Sequence, residues 1–146
     1  MFIATGAYSG YLPKAPGTWG SVVGVGLWLG LCRLPLAPYL WVVVALFVLG
    51  TIAAGAAEKI VDRGDPGLVV IDEIVGQLIA LAAVPHHAIP VIAGFALFRL
   101  FDILKPFPVG WFDKHLHGGL GIMFDDVIAG LYALAILQLG VRLFTF

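Results

Sequence analysis

The feature that most constrains this chain is the segregation of its charge. Seven charged residues lie between Glu58 and Glu73 and seven more between Arg99 and Asp126, leaving only Lys14, Arg33 and Arg142 outside. Between the clusters run uncharged stretches at 15–32, 34–57, 74–98 and 127–141, of 18, 24, 25 and 15 residues. A helix that crosses a bilayer needs about 20 apolar residues, so these runs point to a membrane. Composition agrees: 61% of the 146 residues are hydrophobic and 12% charged, against about 25% charged in a soluble domain. This balance excludes a disordered chain and a coiled coil. The net charge of −1 excludes a basic nucleic-acid binder. A single cysteine, Cys32, excludes an intrachain disulfide framework.

The apolar runs predict an all-α bundle of about five transmembrane or half-spanning helices, forming one domain over residues 1–146. The 34–57 run, after the turn-forming Pro35 and Pro38, is the clearest span. The 18–32 run carries Gly20-x-x-x-Gly24 and Gly26-x-x-x-Gly30, spacings that admit close helix approach and are compatible with a homodimer. The 74–98 run is broken by Pro85-His86-His87-Ala88-Ile89-Pro90, which predicts a hairpin of two helices over about 69–84 and 88–104 with the histidines at its tip. The last run, 127–141, reaches Phe144 if Arg142 snorkels to the interface. Met1-Phe-Ile-Ala-Thr-Gly lacks the basic start of a signal peptide, so the chain is expected to stay whole.

Orientation follows from Lys and Arg, which favour the cytoplasmic side. With the N-terminus inside, Lys14, Lys59, Arg63, Arg99, Lys105 and Lys114 are cytoplasmic and only Arg33 and Arg142 lie outside. The same arrangement puts both acidic clusters on one face. A single crossing in place of the hairpin would put them on opposite faces.

Four constellations carry polar chemistry. Gly64-Asp65-Pro66-Gly67 leads to Asp72-Glu73 at the start of an apolar helix. Acids there complement the helix dipole, yet near hydrocarbon they call for a metal ion or a basic partner. Arg99, Asp102 and Lys105 recur at a spacing of three and share a helix face. Gly118-Gly119-Leu-Gly121 leads to Asp125-Asp126, read as either a flexible loop before an acidic helix start or a ligand approach. Lys14-Ala-Pro16-Gly17-Thr18-Trp19 enters the first helix, where free backbone N–H groups can receive a phosphate or Trp19 can anchor an interfacial turn. His115 and His117 share the cytoplasmic side with the acids. An all-oxygen carboxylate set suits Mg²⁺ or Mn²⁺ rather than Zn²⁺, and with Lys14, Arg99 and Lys105 it suits a metal-bound phosphate.

Lys14-Ala-Pro-Gly-Thr-Trp-Gly-Ser21, Gly64-Asp-Pro-Gly-x-Val-Val-x-Asp72-Glu73-x-x-Gly76-Gln77, Phe98-Arg-x-Phe-Asp102-x-x-Lys-Pro-x-Pro108 and Gly118-Gly-x-Gly-Ile-Met-x-Asp125-Asp126 together resemble the phosphatidylglycerophosphatase A family, in order and spacing from about residue 4 to 135. Phe107 stands where that family often has Trp. The resemblance implies a multi-pass enzyme of the bacterial inner membrane with its site facing the cytoplasm. The expected reaction is Mg²⁺-dependent hydrolysis of phosphatidylglycerol phosphate to phosphatidylglycerol and inorganic phosphate, with Mn²⁺ as a substitute ion. On this reading Asp72, Glu73, Asp102 and Asp126 are the catalytic and metal-binding acids, with Asp65 and Asp125 in support. Lys14, Thr18, Arg99 and Lys105 bind the phosphates. The competing class is a small transporter or cation-conducting protein that uses the same carboxylates.

Overall fold

A computed structural model describes residues 16–61, 70–85, 87–104 and 118–144, with backbone alone at 16–18, 57, 58, 60, 61, 118–120, 122 and 144. Every regular element in it is a helix: α1 Pro16–Leu31, α2 Leu36–Val61, α3 Ile71–Ala80, α4 Ala88–Leu104 and α5 Gly118–Phe144. Two of them are long and apolar enough to cross a membrane. Leu36–Ala56 of α2 has a mean hydropathy of 2.2 and Met123–Leu143 of α5 one of 1.6. The bundle has an apolar core like that of a water-soluble protein, but its exterior is apolar too and its acids are turned inward. Trp41, Ile52, Ile92, Ile103, Leu139 and Leu143 are exposed, while Ser21, Asp72, Gln77, Asp102, Asp125 and Asp126 are buried. Apolar side chains facing outward lose nothing in lipid, so the helices are held by close packing and internal hydrogen bonds.

The hairpin falls where the prolines put it, with α4 starting at Ala88 and ending at Leu104. Its first arm is shorter than the sequence suggests. The ten residues of α3 extend about 15 Å, half of a hydrocarbon core of about 30 Å. Eight of the ten are buried, so α3 is a half-length helix at the centre of the bundle, in contact with all four others.

A helix that stops inside a bundle must satisfy its terminal carbonyls. Three neighbours do so for α3. The Tyr39 hydroxyl of α2 donates to the Leu78 carbonyl, the Trp28 Nε1–H of α1 donates to Leu81 O at 2.9 Å, and Gln138 Nε2 of α5 donates to Ala82 O at 2.9 Å and Ala83 O at 3.2 Å. The chain then turns through Ala83, whose φ of 57° lies in the left-handed region.

Glycines set the spacing around α3. A Cβ on Gly20 would lie 2.7 Å from Val70 Cβ, and one on Gly24 would lie 2.9 Å from Gln77 Cβ. A Cβ on Gly76 would lie 2.4 Å from Phe98 Cε1, and one on Gly130 would lie 2.5 Å from the Gly76 carbonyl oxygen. Gly20 at Val70 with Gly24 at Gln77, and Gly130 at Ile79 with Asp126 at Gly76, show α1 and α5 running parallel to α3. Gly50 at Ile71 with Tyr39 at Leu78, and Gly94 at Leu81 with Phe98 at Gly76, show α2 and α4 antiparallel to it. Gly26 and Gly30, the second small-residue pair, have nothing within 4 Å and face outward.

One expectation is corrected. Gly118 to Gly121 is the first turn of α5, not a loop, and Asp125 and Asp126 sit two turns into that helix instead of at its start. The apolar run of the sequence begins only after the acids, which hid the helical continuity before them.

Candidate active site

The parallel order of α1, α3 and α5 brings the acids of distant segments to one end of the bundle. Asp72 and Glu73 are in the first turn of α3. Asp126 arrives on α5, because Gly76 lets the two backbones meet: a Cβ at Gly76 would lie 2.8 Å from the Asp126 carbonyl oxygen. The outcome is a cluster in which Asp72, Glu73 and Asp126 each offer one carboxylate oxygen within 4.8 Å of the others. Asp102, on α4, and Asp125, on α5, are buried and close enough to Asp126 to act on it electrostatically. Arg99 forms an ion pair with Asp102 one turn away on α4, which fixes the guanidinium beside the acids. The Asp125 Oδ1 accepts the Asp126 backbone N–H at 2.9 Å.

Three like charges so close, shielded from water, repel strongly unless a cation sits among them. The hydrogen-bond pattern agrees with that need. Asp72 Oδ1, Glu73 Oε2 and Asp126 Oδ2 are buried and have no hydrogen-bond partner, one free oxygen on each acid. Such a hard-oxygen donor set suits Mg²⁺ or Mn²⁺. The Arg99 Nε is likewise buried without a partner, leaving a donor for an anion held beside the acids.

Asp72, Glu73, Asp102, Asp125, Asp126 and Arg99 therefore converge. Lys14, Asp65, Lys105, His86, His115 and His117 lie outside the described residues, and Thr18 is described by its backbone alone, in the first turn of α1. His87 is exposed in the α3–α4 connection, at the end of the bundle opposite the acids.

Two polar residues went without a role in the sequence reading. Gln77 and Ser21 are fully buried, and Ser21 Oγ, Gln77 Nε2 and Gln77 Oε1 have no partner. The signal available beforehand was the amide itself, a polar side chain one turn beyond Glu73 in an otherwise apolar helix.

Comparison with known proteins gives a consistent result. A family model described as Phosphatidylglycerophosphatase A matches residues 2–141. Phosphatidylglycerophosphatase A of Escherichia coli is 39% identical over 136 residues, covering 92% of this chain and 79% of the relative. The protein of the same name from Haemophilus influenzae is 43% identical over 136 residues, covering 92% and 83%. A Bacteroides thetaiotaomicron protein, provisionally named a phosphatidylinositol-3-phosphatase, is 44% identical over 147 residues, covering 96% and 92%. No solved structure matches the chain at a significant level.

Proposed function

Because the chain belongs to the phosphatidylglycerophosphatase A family, we propose that it hydrolyses the terminal phosphomonoester of phosphatidylglycerol phosphate, releasing phosphatidylglycerol and inorganic phosphate. The observation that carries this reading is the cluster of Asp72, Glu73 and Asp126, with one unpartnered oxygen on each and Arg99 held nearby by Asp102. Family membership favours the enzyme over the transporter alternative. We place the protein in a bacterial inner membrane with the acidic end facing the cytoplasm, in line with the six-to-two distribution of Lys and Arg.

Asp72, Glu73 and Asp126 would hold one or two Mg²⁺ ions, with Asp102 and Asp125 shaping the surrounding field. When bound, Mg²⁺ supplies charge for the phosphate oxygens and lowers the pKa of an attacking water. Arg99 donates hydrogen bonds to the phosphate, oriented by its ion pair with Asp102. Lys14, Thr18 and Lys105 complete the phosphate contacts. One carboxylate of the cluster takes the proton of the water as its oxygen bonds to phosphorus. The P–O bond to the glycerol carbon chain breaks on the opposite side, and the departing alkoxide takes up a proton. The diacyl part of the substrate stays in the bilayer throughout.

The name of the Bacteroides relative describes another phosphomonoester on a hydroxylated lipid headgroup, so the decisive assay uses both lipids. Purified protein in detergent is expected to release inorganic phosphate from phosphatidylglycerol phosphate with Mg²⁺, to stop with EDTA, and to resume when Mg²⁺ is restored. Turnover of phosphatidylinositol 3-phosphate alone would reassign the substrate. No release from either lipid by folded protein would sink the phosphatase reading.

A further inference from the structure

Seven buried side-chain atoms among the described residues lack a hydrogen-bond partner, and they belong to Ser21, Asp72, Glu73, Gln77, Arg99 and Asp126. Four of those atoms are on the clustered acids and the Arg99 guanidinium. The other three, on Ser21 and Gln77, are of a different chemical kind. Neither residue carries charge, so neither relieves the repulsion of the acids or competes for a phosphate as a cation would. An amide offers a donor and an acceptor side by side, and a hydroxyl offers both on one atom. Their natural counterpart is another neutral group that donates and accepts, namely an alcohol.

Their position has the same implication. Gln77 follows Glu73 by one helical turn, about 6 Å along the axis, on the side of α3 that packs against Gly24 of α1. Ser21 lies on α1 one turn before Gly24. The missing side chain at Gly24 is what lets Gln77 lie against the α1 backbone. Going inward from the acidic end, Ser21 stands at the level of the carboxylates, since its neighbour Gly20 meets Val70, and Gln77 lies one turn deeper. A lipid phosphomonoester held with its phosphate at the acids sends the carbons that tie it to the membrane in that same inward direction, past Ser21 and toward Gln77.

We propose that Ser21 and Gln77 form a subsite for a free hydroxyl on the headgroup carbon next to the phosphorylated one. The proposal rests on the phosphatase reading above and deepens it by naming what is recognised beyond the phosphate. The subsite selects phosphomonoesters of hydroxylated headgroups over phosphomonoesters that lack the neighbouring hydroxyl. A site built to hydrogen-bond a hydroxyl rejects the analogue without it, because its own polar groups are then left buried and unpaired.

The test compares kcat/KM for phosphatidylglycerol phosphate with that for its deoxy analogue, in which the headgroup glycerol is replaced by 1,3-propanediol. Wild type is expected to favour the hydroxylated lipid by roughly 10–100-fold, the loss that follows from leaving the subsite's polar groups unpaired. Gln77→Met, which keeps the side-chain length, and Ser21→Ala, which removes only an oxygen, are each expected to shrink that ratio several-fold. Ser21→Ala keeps the test open if Gln77→Met fails to fold, and thermal unfolding identifies that failure. Equal turnover of the two lipids by wild type overturns the proposal and leaves the phosphatase reading intact. A uniform loss on both lipids in the variants also overturns it, since that marks Ser21 and Gln77 as packing groups or holders of water alone. Absence of phosphate release from either lipid by folded wild type overturns the assignment of phosphatidylglycerol phosphate as substrate, and the subsite falls with it.

Discussion

Asp72, Glu73 and Asp126 would be a poor choice of side chains if the aim were only a stable bundle. Three carboxylates within 4.8 Å of one another, at a membrane-facing helix end, oppose folding in the absence of a counter-charge. A residue that is unfavourable for the fold and favourable for a ligand has a distinctive response to substitution. Asp72→Asn removes one of the repelling charges while keeping the shape. It is expected to lower phosphate release by at least about 100-fold and to leave the unfolding temperature in EDTA unchanged or raised. A lower unfolding temperature with activity retained would make Asp72 structural. The acids were legible in the sequence because charge is rare in this chain and theirs falls beside apolar runs. Gln77 and Ser21 were not, since an amide or a hydroxyl in an apolar stretch gives no hint of whether it is paired. Only the packing of α1 on α3, through Gly20 and Gly24, shows that they are left without partners.

At the scale of elements, α3 is where sequence and structure differ most. The prolines at 85 and 90 marked the hairpin, and the α4 arm began and ended where the apolar pattern placed it. The α3 arm stops four residues before the position the same pattern suggested. Its apolar residues continue through Ala82 and Val84, so hydrophobicity alone carries no stop signal there. What ends the helix is a set of donors from three other segments: Tyr39, Trp28 and Gln138, reaching Leu78, Leu81, Ala82 and Ala83. Contacts separated by 39 to 56 positions have no local signature. Tyr39→Phe removes the buried donor to the Leu78 carbonyl and orphans it, and is expected to destabilise the protein by about 1–3 kcal/mol, seen as a lower midpoint in thermal unfolding in detergent. Trp28→Phe is expected to cost less, because Leu81 O keeps the Val84 N–H at 3.3 Å. No change for Tyr39→Phe would mean that water satisfies the Leu78 carbonyl.

For the molecule as a whole, the two ends of the bundle differ in kind. Acids gather at the end where α1, α3 and α5 begin. The α1–α2 turn at the other end holds Cys32, partly exposed, beside the exposed Arg33. As the single cysteine, Cys32 reports orientation without any engineering. A membrane-impermeant maleimide is expected to label it in spheroplasts and to miss it in sealed inside-out vesicles. The reverse pattern would turn the protein over and place the acids outside the cell. The half-length α3 also has a consequence for how such a sequence can drift. On α2, Trp41, Val44, Val48 and Ile52 face outward, and exchange among apolar residues there disturbs no neighbour. On α3 hardly a position has that freedom: eight of ten residues are buried, and Gly76 admits nothing larger than hydrogen. In a library of functional variants, α3 should stand as a frozen island of ten residues, with diversity accumulating on the helices that shield it from lipid.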